Sequence, residues 1–220
     1  APASHEGPSG LVRVGATEGF GTLILAPHLA QLTRKHPHLS IDLLALPRML
    51  HLSRREADIV ISLERPTRGS VIVSRLSDYS LYLYGQREYL ARKPLVATRE
   101  DLRHHAFVSY VDDLLFTKEL QFLDALHQPE RFAFRSTSIT AQYEAVRAGA
   151  GLAVLPAFLA DRDPVLTRVL PQEGQFTRTF WMSMPSESKH LARMQVTWAF
   201  LRETWARKKG WSSPRPWGRR

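Results

Sequence analysis

The residues able to do chemistry in this chain are few and dispersed. Its nine His are scattered: His36 and His38 flank a Pro behind an apolar segment, and His104 and His105 follow a short predicted helix. Paired imidazoles could hold a metal, but a structural site needs four ligands and a catalytic one three. No carboxylate or Cys accompanies either pair, so no metal is expected. The absence of Cys removes a thiol nucleophile, a Cys-ligated metal and a disulfide scaffold. Asp112-Asp113 are adjacent acids that could bind Mg²⁺ or act as acid and base, yet Asp113 stands where a helix should start, and an acid there caps it. GxGxxG, P-loop, GxSxG and HExxH patterns are all missing. No cofactor and no enzymatic activity are expected.

More informative are the points where a predicted strand gives way to a helix. Thr17-Glu18-Gly19-Phe20, Tyr110-Val111-Asp112 and Ser136-Thr137-Ser138 all stand there. Open α/β sheets bind ligands beyond the carboxyl ends of their strands, where helix N-termini offer unpaired N–H groups. Hydroxyl-rich turns in both halves suggest a cleft for a small polar molecule, although the same residues serve equally as helix caps.

The elements that must position these turns follow from periodicity. Leu11–Ala16 alternates and ends beside Gly, a strand; Leu23, Ile24, Leu25, Leu29 and Leu32 then recur at helical spacing, with Pro27 expected to kink or split the helix. Leu39–Ala45 reads as a strand, Arg48–Glu56 as a short helix, and Ala57–Ser62 as a buried strand. This β-α-β-α-β order specifies a parallel sheet covered by helices.

Strands are expected at Val71–Leu76, Ser80–Tyr84, Ala106–Tyr110, Arg131–Ser136 and Leu152–Leu155, with helices at Gln86–Arg92, Asp113–Leu126 and Thr137–Ala148. Thr98 and Asp101 have capping-box spacing, and Gly149-Ala150-Gly151 is a helix stop. This second alternation predicts a second sheet. Strands at Val165–Leu170 and Thr179–Met184 precede a long helix with Leu191, Met194, Trp198, Leu201 and Trp205 along one stripe, read as core packing.

The chain has 220 residues and a net charge of +9, of which residues 202–220 carry +6. That tail also holds Trp205, Trp211 and Trp217, a composition able to adhere to nucleic acid. A solvated chain end is the favoured reading. Residues 1–10 read as a linker rather than a signal peptide. No apolar run is long enough for a membrane-spanning helix.

Four segments in order resemble one family. They are Leu11-Val12-Arg13-Val14-Gly15-Ala16-Thr17; Leu25-Ala26-Pro27; Leu52-Ser53-Arg54-Arg55-Glu56-Ala57-Asp58-Ile59-Val60-Ile61; and Arg147-Ala148-Gly149-Ala150-Gly151-Leu152-Ala153-Val154-Leu155-Pro156. Together they resemble the effector-binding domain of LysR-type transcriptional regulators. The resemblance implies an α/β fold of two Rossmann-like subdomains of periplasmic-binding-protein type II architecture, joined by crossovers near Leu76–Tyr79 and Thr177–Thr179. Subdomain I would be 11–76 with 178–206 and subdomain II 77–177, leaving a linker at 1–10 and a basic tail at 207–220. Family members carry an N-terminal winged helix-turn-helix; the chain is expected to lack it and to meet DNA only through that missing part.

The resemblance also implies a cytoplasmic homodimer or homotetramer, with no membrane partner. Its effector site would use Thr17, Glu18, Gly19, Phe20, Arg48 beside Pro47, and Ser62, together with Ser109, Tyr110, Val111, Ser136 and Thr137. Arg48 would favour a carboxylate, and Phe20 and Tyr110 an aromatic metabolite. Two departures from the related subgroup stand out: Met184-Pro185-Ser186-Glu187 replaces a His and an acid, and Pro47 replaces a polar residue. A free-standing solute-binding protein of a transporter is the alternative, and an enzyme on the same scaffold ranks third.

Overall fold

The computed structural model describes residues 7–208. Most of the expected linker and the basic tail from residue 209 onward lie outside the described residues. Strand β1 (Gly10–Thr17) turns directly into helix: α1 (Glu18–Phe20), a π-helical turn at Gly21–Leu25, then α2 (Ala26–Lys35). Pro27 has no N–H to donate backwards and stands in the first turn of α2. The Ala26 N–H reaches five residues back to the Gly21 carbonyl, so the expected kink is absorbed as one widened turn.

Strand β2 (Leu39–Leu46) runs parallel to β1, from Gly10 opposite Leu39 to Thr17 opposite Leu46. The helix expected at Arg48–Glu56 is not formed; only a 3₁₀ turn, Leu52–Arg54, appears there. Arg55 takes a left-handed φ of 54° and ends that turn. A side chain on Gly15 would collide with Leu50 and touch Ala57, so the segment lies flat against bare backbone rather than coiling above it. Strand β3 (Ile59–Ser62) then pairs parallel with β1.

The strands expected at Val71–Leu76 and Ser80–Tyr84 are one strand, β4 (Val71–Gln86). It is followed by α3 (Arg87–Ala91), a 3₁₀ helix Arg99–His104 opened by the Thr98–Asp101 capping box, and β5 (Phe107–Ser109). The helix expected at Asp113–Leu126 is replaced by three 3₁₀ turns, Asp112–Leu114, Lys118–Leu120 and Leu123–Ala125. The Thr117 hydroxyl accepts the Glu119 N–H, offering the backbone a local alternative to helix. Nor does Asp113 cap: the Asp112–Leu114 turn has no side-chain cap, and Asp112 faces Arg135 at 3.9 Å.

Strand β6 (Phe132–Arg135) pairs parallel with β5. Helix α4 (Ile139–Arg147) begins on the Ser138 hydroxyl, which accepts the Ala141 N–H at 3.0 Å. It ends with Gly149 at φ 83°, whose N–H reaches Val146 while that of Ala150 reaches Ala145. These are the paired bonds of a Schellman stop. Strand β7 (Ala153–Pro156), α5 (Ala157–Ala160), β8 (Leu166–Arg168), β9 (Gln175–Pro185) and α6 (Ala192–Arg207) complete the chain.

Two compact units result. One holds residues 7–77 and 179–208, the other 78–178. The long strands β4 and β9 each carry the chain across the boundary. The strand order in the first unit is β2-β1-β3-β9, and in the second unit β5 and β6 form a two-stranded sheet of their own.

In the first unit, Val12, Val14, Ile59, Ile61, Phe180 and Met182 form a buried sheet face, joined by Leu201 and Trp205 of α6. Leu191, read into the α6 stripe, precedes the helix and is exposed. In the second unit, β4 pairs antiparallel with β7 and β8, while Phe107 of β5 bridges Leu152 in parallel. Among the described residues no helix is long and apolar enough to cross a membrane, and no cluster of metal-ligating side chains occurs.

Candidate functional site

The predicted site residues fall into two groups, one in each unit. In the first unit, register places them. Gly15 pairs with Val60 and Val60 with Ser183, so these three share one sheet face. Two residues further along, Thr17 and Ser62 lie on that same face at the carboxyl ends of β1 and β3. Thr17 is opposite Leu46, and Ser62 is opposite Trp181. The Gly15 row is covered by Leu50 and Ala57. The Thr17 row, one step beyond, is half-buried throughout. Trp181, which no motif singled out, belongs to this row; only strand pairing reveals it.

The side chains in this group differ in what the fold already asks of them. Thr17 precedes α1 without capping it, and among the described residues its hydroxyl has no hydrogen-bond partner. The Ser62 hydroxyl donates to the Glu64 carbonyl at 2.8 Å. Glu18 and Gly19 occupy the first turn of α1, with Gly19 buried.

Phe20 does not offer a ligand face. Its ring is 1% exposed, stacked on Phe180 and tilted against Trp205. A residue one turn into a helix behind β1 points down onto the sheet, and this one fills the core.

Arg48, expected to favour a carboxylate, already has partners within the chain. Its guanidinium donates to the Met49 carbonyl and to the Glu56 carboxylate at 3.2 Å. Glu56 also accepts the His51 N–H at 2.9 Å. That bond and the Arg48 charge outweigh desolvation and hold the Glu56 carboxyl below its usual range. Arg65 stands differently: its guanidinium lies 5.2 Å from the Trp181 ring centroid, and among the described residues it has no carboxylate partner.

In the second unit, Ser109 ends β5 and pairs with Arg135 of β6. The Ser136 N–H donates to the Ser109 carbonyl at 3.0 Å, which joins the two predicted turns. The Ser136 hydroxyl accepts the Ser138 N–H, and its carbonyl accepts the buried Gln142 amide. Ser136 therefore builds the turn. The Ser109 and Thr137 hydroxyls are half-buried and, among the described residues, have no hydrogen-bond partner. Tyr110 and Val111 follow, also half-buried. Thr17 in the first unit and Ser109 and Thr137 in the second thus stand at strand ends with hydroxyls that, among the described residues, no hydrogen bond engages.

Residues 5–206 match the model of the LysR substrate binding domain. Among curated relatives, an uncharacterized HTH-type transcriptional regulator of Haemophilus influenzae is 24% identical over 76% of this chain and 59% of its own length. The Mau operon transcriptional activator of Paracoccus denitrificans is 29% identical over 71% of this chain and 51% of its own. The chain thus spans a little over half the length of these relatives.

Among solved structures, the regulatory domain of CrgA, a LysR-type transcriptional regulator from Neisseria meningitidis, superposes with a TM-score of 0.78. It covers 90% of this chain and 100% of that one at 21% identity. The effector domain of AmpR from Pseudomonas aeruginosa gives 0.71, at 19% identity over 90% and 96%. The fold is accordingly the two-subdomain, periplasmic-binding-protein-like one. With nearly the whole described sequence inside the family match, the chain belongs to the LysR substrate-binding domain family.

Proposed function

We propose that this chain senses a small-molecule effector for a transcriptional regulator, and that effector binding shifts the population between conformations that place DNA-binding heads differently. A ligand can move such an equilibrium only by its difference in affinity for the two states. The observation carrying the reading is that, in a chain of this family, each unit has strand-end hydroxyls that no hydrogen bond engages among the described residues, Thr17 in one and Ser109 and Thr137 in the other. Thr17, Glu18, Gly19, Arg48 and Ser62 in one unit and Ser109, Tyr110, Val111, Ser136 and Thr137 in the other are the proposed effector residues. Arg48 acts there through its pairing with Glu56, and Phe20 supports from beneath.

The effector is a carboxylate or aromatic metabolite, the regulator a cytoplasmic homodimer or homotetramer, and DNA is met through an N-terminal domain outside this chain. Contact with DNA is not assigned to the basic tail. A transporter solute-binding protein is less well supported, because the relatives matched are HTH-type regulators.

The test is a thermal-shift screen of the 220-residue chain against a metabolite library, followed by hydrogen exchange on any hit. A true effector raises the melting temperature by mass action and protects amides at the ends of β1, β3 and β5. A library that leaves the melting temperature unmoved, or hits that protect only remote segments, would overturn the reading.

A further inference from the structure

We infer that Arg65 and Trp181 form the anion-recognising corner of the effector site, and that the effector is a flat, conjugated carboxylate. The inference rests on the effector-sensing reading above and deepens it. Three observations carry it, all within the first unit.

The first is position. Trp181 pairs directly with Ser62 and therefore lies on the sheet face that carries Thr17, at the carboxyl ends of the parallel strands. The neighbouring row on this face is sealed by Leu50 and Ala57, and the opposite face is core, so the Thr17–Ser62–Trp181 row is what this end of the sheet presents.

The second is the state of the cations. Arg48 is neutralised by Glu56 and by a backbone carbonyl, and Arg13 of β1 pairs with Asp42. Arg65 leaves β3 three residues after Ser62 and, among the described residues, is held by the indole ring alone. A guanidinium placed over a ring uses none of its N–H groups for that contact. All five donors stay available, in the fork that matches a carboxylate through two parallel bonds.

The third is shape. A fork-to-fork pair is coplanar, so a carboxylate conjugated to a ring keeps the ring in the guanidinium plane, beside the half-buried indole. A saturated ring would project its axial hydrogens into the same space. Thr17, whose hydroxyl has no hydrogen-bond partner among the described residues, stands in the same row to accept or donate to a ring substituent.

The test uses the 220-residue chain with fluorinated Trp, read by fluorine NMR. The chain holds five Trp, and W181F assigns the Trp181 resonance by its disappearance. Benzoate, benzamide and cyclohexanecarboxylate are the probes. Benzoate should move the Trp181 resonance saturably, and cyclohexanecarboxylate should bind about tenfold more weakly or worse. R65Q should weaken benzoate by about tenfold or more while leaving benzamide unchanged, and R65K should recover only a small part because a point charge cannot make two coplanar bonds. Arg65 is exposed, so R65Q should melt like the parent, which separates recognition from folding.

No saturable shift at Trp181 overturns the inference, and so does benzoate binding that R65Q leaves intact. A library hit that is not a flat carboxylate, or that binds without Arg65 and Trp181, refutes this inference and leaves effector sensing standing. A library without any hit removes the underlying reading instead.

Discussion

The ring of Phe20 stacks on that of Phe180 with centroids 4.2 Å apart and planes 28° apart, and Trp205 closes over it at 5.3 Å. The residue that follows the first strand–helix turn is therefore the anchor of α1 and α6 on the sheet. Truncating a buried Phe removes transfer energy and leaves a cavity, at a cost of about 3–5 kcal/mol. Phe20→Ala should lower stability by that amount in urea unfolding, and Phe20→Leu by roughly half of it. A loss under about 1 kcal/mol would show that the ring packs loosely enough to serve a ligand.

Two glycines that end α4 separate by what lies above them. Gly149 has φ 83°, and an added Cβ would meet the Gln86 side-chain amide, which can swing away. Gly149→Ala should cost about 2–3 kcal/mol, the left-handed penalty of about 1–2 plus about 1 for the hydrogen bond to the Arg147 carbonyl that the amide gives up. Gly151 has φ 155°, and its Cβ would strike the Ala106 carbonyl and its carbon, backbone that cannot yield. Gly151→Ala should be much the worse of the two, disrupting the Val108–Leu152 and Leu152–Ala106 hydrogen bonds that join this turn to β5. Equal melting temperatures for the two variants would contradict that ranking.

Legibility differed by element for physical reasons. Val12, Val14, Ile59 and Ile61 alternate or run together because one sheet face is sealed, and those strands were plain in the sequence. The Schellman stop at Gly149 and the Thr98–Asp101 box were equally plain, since local hydrogen bonds decide them. Arg48–Glu56 and Asp113–Leu126 have helical composition, yet tertiary contacts overrule it: Leu50 takes the space over Gly15, and Leu120, Phe122, Leu123 and Leu126 are all drawn into the core. Among the candidate residues, position behind each strand singles out Thr17 and Thr137. The packing of Phe20 depends on Phe180, the pairing of Arg48 on Glu56, and the placement of Trp181 on register with Ser62, none of which spacing along the chain encodes.

His105 is 5% exposed; its Nδ1 meets the Tyr89 hydroxyl at 2.9 Å, and its Nε2 is buried without a partner among the described residues. Burial first, then the charges of Lys93 and His104, depress its pKa below the usual imidazole value of about 6.5. The sign follows from proton counting. Above 6.5 neither state binds the proton; as pH falls from there toward the depressed folded value, only the unfolded chain does, and stability is lost. Unfolding free energy should decline from pH 7 to pH 5, and His105→Gln should flatten that decline even if it lowers stability at pH 7. An unchanged slope would assign the acid sensitivity elsewhere, with His28, depressed by burial and by Lys208, the next group to replace.

Asp163 is the buried acid that ties the end of β7–α5 to α4. Tyr143 and Arg147 both donate to its Oδ2, the latter at 2.6 Å, and the Val165 N–H donates to Oδ1 at 2.9 Å. Burial alone would push its carboxyl up, but these bonds outweigh it and hold the carboxyl below the usual range, while burial and the same contact push the Tyr143 phenol up to about 12. Asp163→Ala takes the acceptor from the Tyr143 hydroxyl and the Val165 N–H, while exposed Arg147 keeps Glu144 and solvent, and should cost about 1–3 kcal/mol. Tyr143→Phe removes one donor and should cost about 1 kcal/mol. Because the native carboxyl is the stronger acid, the stability it contributes is present above its unfolded pKa and disappears as pH falls through the folded one. Asp163→Asn should therefore shrink the loss of stability between pH 4 and pH 2, a window separate from that of His105. A variant that retains the full acid-range loss would show that another carboxylate governs it.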